Sequence, residues 1–193
     1  MDKPTTQHKR PAWQRPEYGF IAWQMTLGYI CNHRSPDAVL KLEAYPQNGQ
    51  IMWAGAVSWG RVNEAVRDCE TLAVALRDLW LEVERNHIIF GSPEDALRRP
   101  INYDDHEWLD VETLDVLQRL IWTIQTTMQT GWMLVLIYQP TEAPAMRVQT
   151  RLLANDNQMR AAGQGASLLD ALRDLFRNAT PLFSKLVNKD EYK

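Results

Sequence analysis

Alternating apolar and polar residues mark the first strand pair of the chain. In residues 38–45, apolar side chains occupy every second position, and Lys41 and Glu43 stand between them. This period of two is typical of a strand with one buried face. An Asn-Gly turn closes residues 46–49, and a second apolar run, 51–59, follows. Asn-Gly is a strong hairpin signal, so the pattern predicts a β-hairpin.

Four further segments complete the strand prediction. Residues 23–30 are aromatic and aliphatic, which predicts a further strand before this hairpin. Residues 60–70 are predicted to form a polar connection. Residues 132–138 contain no polar side chain, which predicts a central strand covered on both faces, by protein or by a partner chain. Residues 146–152 alternate, and 158–163 return after an Asn-Asp-Asn turn, so the pattern predicts a second hairpin.

Apolar residues at helical spacing predict three long helices. The first runs from a cap at Thr71 to about Asn86, and the second spans 111–129. The third begins at Ser167, another residue whose hydroxyl can accept from the free N–H groups of a first helical turn. Pro181 either ends this helix or starts a short terminal one.

A repeated motif relates the two parts of the chain. ALRDLW at 75–80 returns as ALRDLF at 171–176, each after a helix cap. Gln50 and Gln158 occupy matching positions in the two hairpins, and the distance between them along the chain is 12 residues greater than the distance between the two ALRDL motifs. The difference predicts an extra loop in the first copy, within 57–70. We therefore expect an α+β fold: an internal duplication of a β-β-β-α unit in a pseudo-twofold arrangement, with antiparallel sheet or sheets and helices packed on one face.

Four regions follow from these patterns. They are a flexible tail at 1–18, a first β-β-β-α unit at 19–90, a linker with a short helix at 91–110, and a long helix with the second unit at 111–193. We expect them to form one compact domain, since 193 residues can share one core.

Composition narrows the function classes. The formal net charge is −3, so no global positive field favours nucleic acid or acidic membranes. No signal-peptide core and no run of about 20 apolar residues is present, so we expect a cytoplasmic protein without a membrane span. Cys31 and Cys69 lack metal-like spacing; free thiols are the expectation, and one disulfide is the alternative.

The junction before the last helix is similar to a known family. In 163–176, Gly165, Ser167, Asp170 and Ala171 resemble the strand-to-helix junction of HicB-like antitoxin modules, which are related to double-stranded-RNA-binding folds. The resemblance implies a β-β-β-α core and a nucleic-acid-linked regulator. The chain lacks that family's proline-rich turn before the helix, and no separate DNA-binding module is evident.

An acidic cluster is the candidate metal or acid–base site. Asp104, Asp105, His106 and Glu107 offer the oxygen and nitrogen ligands that divalent ions take. Adjacent residues rarely all point at one ion, and acidic residues before a helix also favour its dipole. The alternatives are a metal site and a solvated helix lead-in.

Three arginines form the candidate nucleic-acid surface. Arg147 and Arg151 share one side of a predicted strand, and Arg160 lies on the neighbouring strand. Such a patch could contact a phosphate backbone, or it could be an ordinary solvated sheet face. The basic residues of the tail allow the same two interpretations.

The remaining chemistry-bearing residues have structural explanations beside their functional ones. His33 and Asp37 near Cys31 suggest a nucleophile and base, but no third orienting residue follows. Cys69 has acidic neighbours, which raise a thiol pKa. The glycines of 163–165 could cradle a phosphate or simply ease the chain into a helix. We assign no catalytic residue and no cofactor.

These patterns favour a non-enzymatic binding or scaffold protein that associates with itself or with a protein partner, without a membrane. The apolar strand 132–138 and the eight tryptophans motivate this expectation. The alternatives are a HicB-like nucleic-acid-linked regulator and a metal-assisted enzyme that uses the acidic loop 104–110.

Overall fold

Six strands form one antiparallel sheet in a computed structural model, which describes residues 20–86, 111–128 and 131–190. The strands lie in the order β3-β2-β1-β4-β5-β6. Their bounds are β1 Val39–Gln47, β2 Gln50–Trp59, β3 Val62–Cys69, β4 Trp132–Tyr138, β5 Val148–Ala154 and β6 Met159–Gly165. The α+β class and the antiparallel sheet are confirmed.

The described helices differ widely in length. They are α1 Phe20–His33, α2 Leu72–Asn86, α3 Val111–Met128 and α4 Leu168–Asp190, with a short 3-10 helix at Pro144–Met146. None of the helices in the described ranges is both long and apolar enough to cross a membrane. The predicted tail 1–18 and linker 91–110 lie outside the described residues.

One face of the sheet, the helix face, carries the core. Strand register aligns one row of residues across it: Val66, Gly55, Leu42, Leu136, Thr150 and Gly163. Gly55 lies against Leu79 of α2, and Thr150 Oγ1 donates to the Ala171 carbonyl of α4 at 3.0 Å. Helices α1 and α3 each bury one apolar side in the same core.

Both predicted helix caps are confirmed. Thr71 Oγ1 accepts from the Val74 N–H at 3.2 Å, and Ser167 Oγ accepts from the Asp170 N–H at 3.1 Å. These bonds satisfy amide groups that a first helical turn leaves without partners. The long helix predicted at 111–129 is also confirmed, as α3.

The strand predicted at 23–30 is wrong, because this segment belongs to helix α1. Its buried side chains, Trp23, Leu27 and Ile30, recur at helical spacing, which places them on one helix face. Trp23 donates its Nε1–H to the Leu76 carbonyl at 3.2 Å and meets Trp80 edge to face. Packing against α2 thus favours the helix over the β propensity of these residues.

The polar connection predicted at 60–70 is also wrong, because it contains β3. Val62, Glu64 and Val66 are half-buried, while the residues between them are exposed. An edge strand needs only this weak alternation, since one of its edges remains open to solvent. The extra loop expected within 57–70 is therefore a strand.

Pro181 neither ends nor starts a helix: it lies inside α4. Its exposed position leaves the ring on the solvent side of the helix. Beside it, Thr180 Oγ1 donates to the Phe176 carbonyl at 2.8 Å, and Ala179 and Phe183 are buried in the core. Packing on both sides of the proline maintains the helix despite the lost backbone hydrogen bond.

Candidate interaction surface on the sheet

The open face, opposite the helix face, is built from the alternate residues of the same strands. Helices α1 to α4 pack on the helix face, so none of these described helices covers the open face. On β4, Leu134 and Leu136 point into the core, and Met133 and Ile137 project from the other side, where they are half-buried. The apolar sequence of β4 therefore supplies both faces of the sheet centre.

A row of large apolar side chains crosses five strands of the open face. Strand pairing joins Met52 to Tyr45, and Met133 to Leu153 to Met159. Ala44 pairs with Leu134, so the same register places Tyr45 beside Met133 and makes the row continuous. We call these five residues the methionine row. Met159 is 61% exposed, and the other four are half-buried.

A second row of open-face residues lies two positions along the strands from the methionine row, and we call it the charged row. Its members are Ala162, Arg151, Val135, Glu43, Ala54 and Arg67. Arg67 belongs to the bulge of β3 that faces Ala54, where the register shifts between Trp53 and Gly55. The row thus carries a central carboxylate with one arginine two strands away on each side.

The central carboxylate has a partner on its own strand. Lys41 Nζ lies 2.5 Å from Glu43 Oε1, and the Glu43 side chain is only 17% exposed. Within the described chain, no ion pair involves Arg67 or Arg151; Arg151 Nη2 donates to Gln149 Oε1 at 3.1 Å. The open face therefore carries an excess of positive charge, although the whole chain is acidic.

Tyr45 is held in place at the β3 side of the surface. Its hydroxyl donates to Asp68 Oδ1 at 2.9 Å and accepts from the Asp68 N–H at 3.3 Å. Asp68 adopts a left-handed φ of 55°, which turns its backbone toward the tyrosine. Burial raises the pKa of Tyr45, so the phenol stays a neutral donor at physiological pH.

The three candidate nucleic-acid arginines are only partly brought together. Arg147 and Arg151 are both exposed; the alternation of β5 places Arg151 on the open face, whereas Arg147 precedes β5 and caps the 3-10 helix in a helical conformation. Arg160 lies at the irregularity between β5 and β6, where its Nη2 is 3.9 Å from Asp156 Oδ2. Arg160 is therefore drawn to a local carboxylate beside the turn.

The candidate metal ligands Asp104, Asp105, His106 and Glu107 lie outside the described residues. Within residues 20–86, 111–128 and 131–190, no group of three or more His, Cys, Asp or Glu side chains could hold a metal ion.

His33 and Asp37 do not form a dyad. Asp37 accepts from the Ser35 hydroxyl and from the Gly60 N–H, at 3.2 Å for the latter, and these bonds lower its pKa. His33 lies against the Tyr29 ring, with centroids 4.6 Å apart. The Asp37 carboxylate therefore connects the turn between α1 and β1 to the turn between β2 and β3.

Both cysteines are free thiols, as expected. Burial raises the pKa of Cys31 and of Cys69, and Asp78 adds to the effect at Cys69. Raised pKa values make both thiols poor nucleophiles at neutral pH.

The glycines of 163–165 serve packing against α4. A Cβ on Gly163 would lie 2.2 Å from the Leu175 nitrogen, so only glycine lets the helix come this close. The Gln164 N–H, which a bound phosphate would need, donates instead to Asp174 Oδ2 at 3.1 Å. The segment is therefore a helix-packing strand and not an anion cradle.

Helix α4 also covers the outer edge of β6. Besides the Asp174 contact, Asn178 Nδ2 donates to the Ala162 carbonyl at 2.8 Å. Both backbone groups belong to an edge strand, whose outward groups would otherwise be open to another strand. A cleft of about 520 Å³ lies beside this edge, lined by residues such as Arg151, Met159 and Gln164.

The methionine row was missed at the sequence level because its members are distant along the chain. Five strands contribute one member each, and only the pairing of β1 with β4 makes the row continuous. No known protein-family model matches the chain, and no curated protein matches it.

Proposed function

We propose that the protein is a non-enzymatic binding or scaffold protein that associates with itself through the open face of its sheet. The observation that carries the proposal is the methionine row, which lies on the face that the described helices leave uncovered. Methionine side chains are flexible and polarisable, and they are frequent on surfaces that bind other proteins.

The sequence of β4 supports a contact on this face. Met133, Val135 and Ile137 alternate with the core residues, where a sheet that only met water would carry polar side chains. Val135 is already buried, but a second protein layer would remove the half-buried Met133 and Ile137 from water, which stabilises a complex by about 25 cal/mol per Å².

Mass measurement over a range of concentrations tests the proposal. By light scattering, we expect the mass to rise above 22.4 kDa with concentration. Met133→Lys should hold the protein at the monomer mass, because it places a charge in the contact. Leu81→Lys is the control, since Leu81 is exposed on α2, away from the sheet. A wild type that stays monomeric at high concentration would contradict the proposal.

We further propose that the chain is an internal duplication in a pseudo-twofold arrangement. The β1–β4 pair lies at the centre of the sheet, and on each side of it the next two strands follow in chain order, β2 and β3 on one side and β5 and β6 on the other. A capped helix follows both β3 and β6. The same chain distance separates Cys69 from Gly165 and Thr71 from Ser167, so strand ends and caps align without an extra loop. An experimental structure whose two halves fail to superpose would refute the duplication.

The second candidate function is a HicB-like nucleic-acid-linked regulator. Two exposed arginines, Arg147 and Arg151, favour it, and Arg151 lies on the open face. Reversing the charges of Arg147, Arg151 and Arg160 should weaken the retention of RNA or DNA, more so at low salt. Arg119→Glu on α3 is the control, and wild-type protein that binds neither nucleic acid at low salt would exclude this function.

A metal-assisted enzyme built on Asp104 to Glu107 is the third candidate. Metal analysis of the purified protein, followed by titration with divalent ions, tests it; a protein that takes up no metal would rule it out. We also propose a cytoplasmic location, supported by the two free thiols, which persist in reducing compartments.

A further inference from the structure

We infer that the outer edge of β3 binds an extended, acidic segment of a partner protein, which adds a further strand to the sheet. This site is separate from the open-face contact proposed above, so either one can hold while the other fails. Many proteins bind peptides at a sheet edge, because main-chain hydrogen bonds supply affinity and alternate side chains supply selectivity. The sheet has two outer edges, at β3 and at β6, and they differ in how their backbone groups are occupied.

Two residues of β3 turn their backbone groups away from the sheet. In an antiparallel ladder, hydrogen-bonded pairs alternate with pairs whose backbone groups point outward. Counted from the two-residue turn at 48–49, the residues of β3 that bond to β2 include Glu64 and Val66. The N–H and C=O groups of Asn63 and Ala65 therefore point outward. Both residues are exposed, and these groups have no hydrogen-bond partner within the described chain.

The same count turns Ala162 and Gln164 of β6 outward, and there helix α4 occupies the groups. Asn178 Nδ2 donates to the Ala162 carbonyl at 2.8 Å, and the Gln164 N–H donates to Asp174 Oδ2 at 3.1 Å. A strand that added to β6 would have to break both bonds. The β6 edge is therefore closed where the β3 edge is open, and we expect one binding site per chain.

The repeated ALRDL motif accounts for the first half of this difference. On α4, Arg173 pairs with Glu112 of α3, which leaves Asp174 for the β6 backbone. On α2, Arg77 Nε donates to Asp78 Oδ1 at 2.6 Å, so the matching aspartate is bound within its own helix. The same five letters thus close one edge and leave the other open.

The next contact position on the helix also differs. Four residues beyond the aspartate, α4 has Asn178 and α2 has Glu82. An ionised carboxylate has no hydrogen to donate to a strand carbonyl. Glu82 Oε1 accepts instead from Arg85 Nη1 at 2.7 Å. Helix α2 therefore offers no donor at the place where α4 closes the β6 edge.

Exposed arginines lie at both ends of the β3 edge. Arg61 directly precedes the strand and Arg67 lies near its other end; both are exposed, and neither has an ion-pair partner within the described chain. On the helix side of the strand, Val62 and Val66 are half-buried. A complementary strand therefore carries an acidic residue at each end and aliphatic residues beside the two valines.

The carboxylates of β3 do not oppose such a strand at its ends. Glu64, in the middle of the strand, accepts from Asn86 Nδ2 at 3.2 Å. Asp68 accepts from the Tyr45 hydroxyl at 2.9 Å, which turns its side chain toward β1. An uncharged residue opposite Glu64 avoids repulsion there, so the acidic residues belong at the ends.

A second copy of β3 does not meet these requirements. An antiparallel pair centred on Ala65 would place Arg67 of one copy opposite Asn63 of the other and diagonally across from its Arg61. Long side chains reach across such diagonals, so the arginines would repel each other. Charged residues on an edge strand commonly prevent pairing between copies. The arginines therefore favour a strand of opposite charge from another protein.

A synthetic peptide with the sequence Glu-Val-Thr-Thr-Thr-Val-Glu tests the site. Paired antiparallel with β3, it places its valines beside Val66 and Val62 and its glutamates beside Arg67 and Arg61. With blocked ends and a fluorescent label, it should bind the full chain saturably in fluorescence anisotropy, one peptide per chain. The same peptide with lysine in place of both glutamates should bind about tenfold more weakly, because two exposed ion pairs become repulsive.

Ala65→Pro closes the edge on the protein. Proline removes an N–H that points away from β2, and edge strands accept proline at such positions because the ladder keeps its bonds. We expect the peptide to bind at least about tenfold more weakly, since the site loses a main-chain donor and the ring obstructs the approach. Ala162→Pro is the matched control on the closed β6 edge and should bind like the wild type. Circular dichroism checks that both variants are folded.

Methylated peptides provide a readout that leaves the protein unchanged. In the antiparallel pair, the N–H groups of the third and fifth peptide residues face β3, and those of the second and fourth face solvent. N-methylation of the third and fifth residues should therefore abolish binding, whereas N-methylation of the second and fourth should retain it. This comparison also decides the question if Ala65→Pro fails to fold.

Saturable binding of the acidic peptide that Ala65→Pro and methylation of the third and fifth residues both weaken supports the proposal. No saturable binding at up to about 1 mM peptide overturns it, as does equal binding of the two methylated peptides. Equal binding of the acidic and lysine peptides overturns the charge selection. A wild type that dimerises, and that Ala65→Pro makes monomeric, shows that a second copy occupies the edge and overturns the partner strand. The open-face contact is tested separately by Met133→Lys, which leaves β3 unchanged.

Discussion

Gly163→Ala should destabilise the fold through one methyl group. Its Cβ would lie 2.2 Å from the Leu175 nitrogen and 2.4 Å from the Ala171 oxygen, both in the backbone of α4. Ordinary contacts require more than 3 Å, so the helix would have to move by about 1 Å or the strand would have to bend. Overpacking typically costs about 1–3 kcal/mol. Because both obstacles are backbone atoms, we expect about 3 kcal/mol.

Urea unfolding followed by tryptophan fluorescence measures this cost. With a slope of about 2 kcal/mol per molar urea, the midpoint should fall by about 1.5 M. Gly55→Ala is the matched control in the same row of the helix face. Its Cβ would meet only side-chain atoms, the nearest being Leu79 Cδ2 at 3.3 Å, so we expect a much smaller shift. Equal midpoints for Gly163→Ala and the wild type would refute the close approach of α4 to β6.

Replacing Asp174 and Asn178 together by alanine should free the β6 edge, lower stability by about 2–4 kcal/mol and promote aggregation in light scattering; an unchanged unfolding midpoint would contradict the edge contacts. Trp132→Phe should cost about 2 kcal/mol less than Trp23→Phe in urea unfolding, because the buried Trp132 N–H has no partner in the described chain and the Trp23 N–H has one; equal costs would contradict this. Asp37 has a lowered pKa, so its stabilisation is present above the unfolded pKa of about 3.8 and is lost as the pH falls toward the folded pKa; the midpoint difference between the wild type and Asp37→Asn should therefore shrink between about pH 6 and about pH 3, and a constant difference would count against the hydrogen bonds.

Local signals in the sequence predicted the elements that depend on local physics. The caps at Thr71 and Ser167 and the apolar stripe of α3 each lie within a few turns of chain, so their residues encode them directly. The hairpin of β1 and β2 carries its own Asn-Gly turn, and Asn48 and Gly49 both adopt the positive φ that such a turn needs.

The errors arose where long-range packing decides. Helix α1 is made of residues with β propensity, and Trp23 stays helical because its N–H and ring find partners on α2. Strand β3 is polar because it forms an edge, which weakens its alternation. The open face could not be read from the sequence, since its rows exist only after β1 has paired with β4.

The β1–β4 pair has a consequence for the order of folding. It joins Leu40 to Tyr138 and Ala44 to Leu134, so nearly half of the chain separates its two strands. The hairpins and the helices beside them close much shorter loops, and short loops form faster. We expect the two halves of the sheet to form first and then to pair through β1 and β4. This second step resembles the association of two subunits that a peptide already links. Such joining is independent of protein concentration, so the refolding step that joins the two halves should keep one rate at any dilution, unlike the association of separate copies.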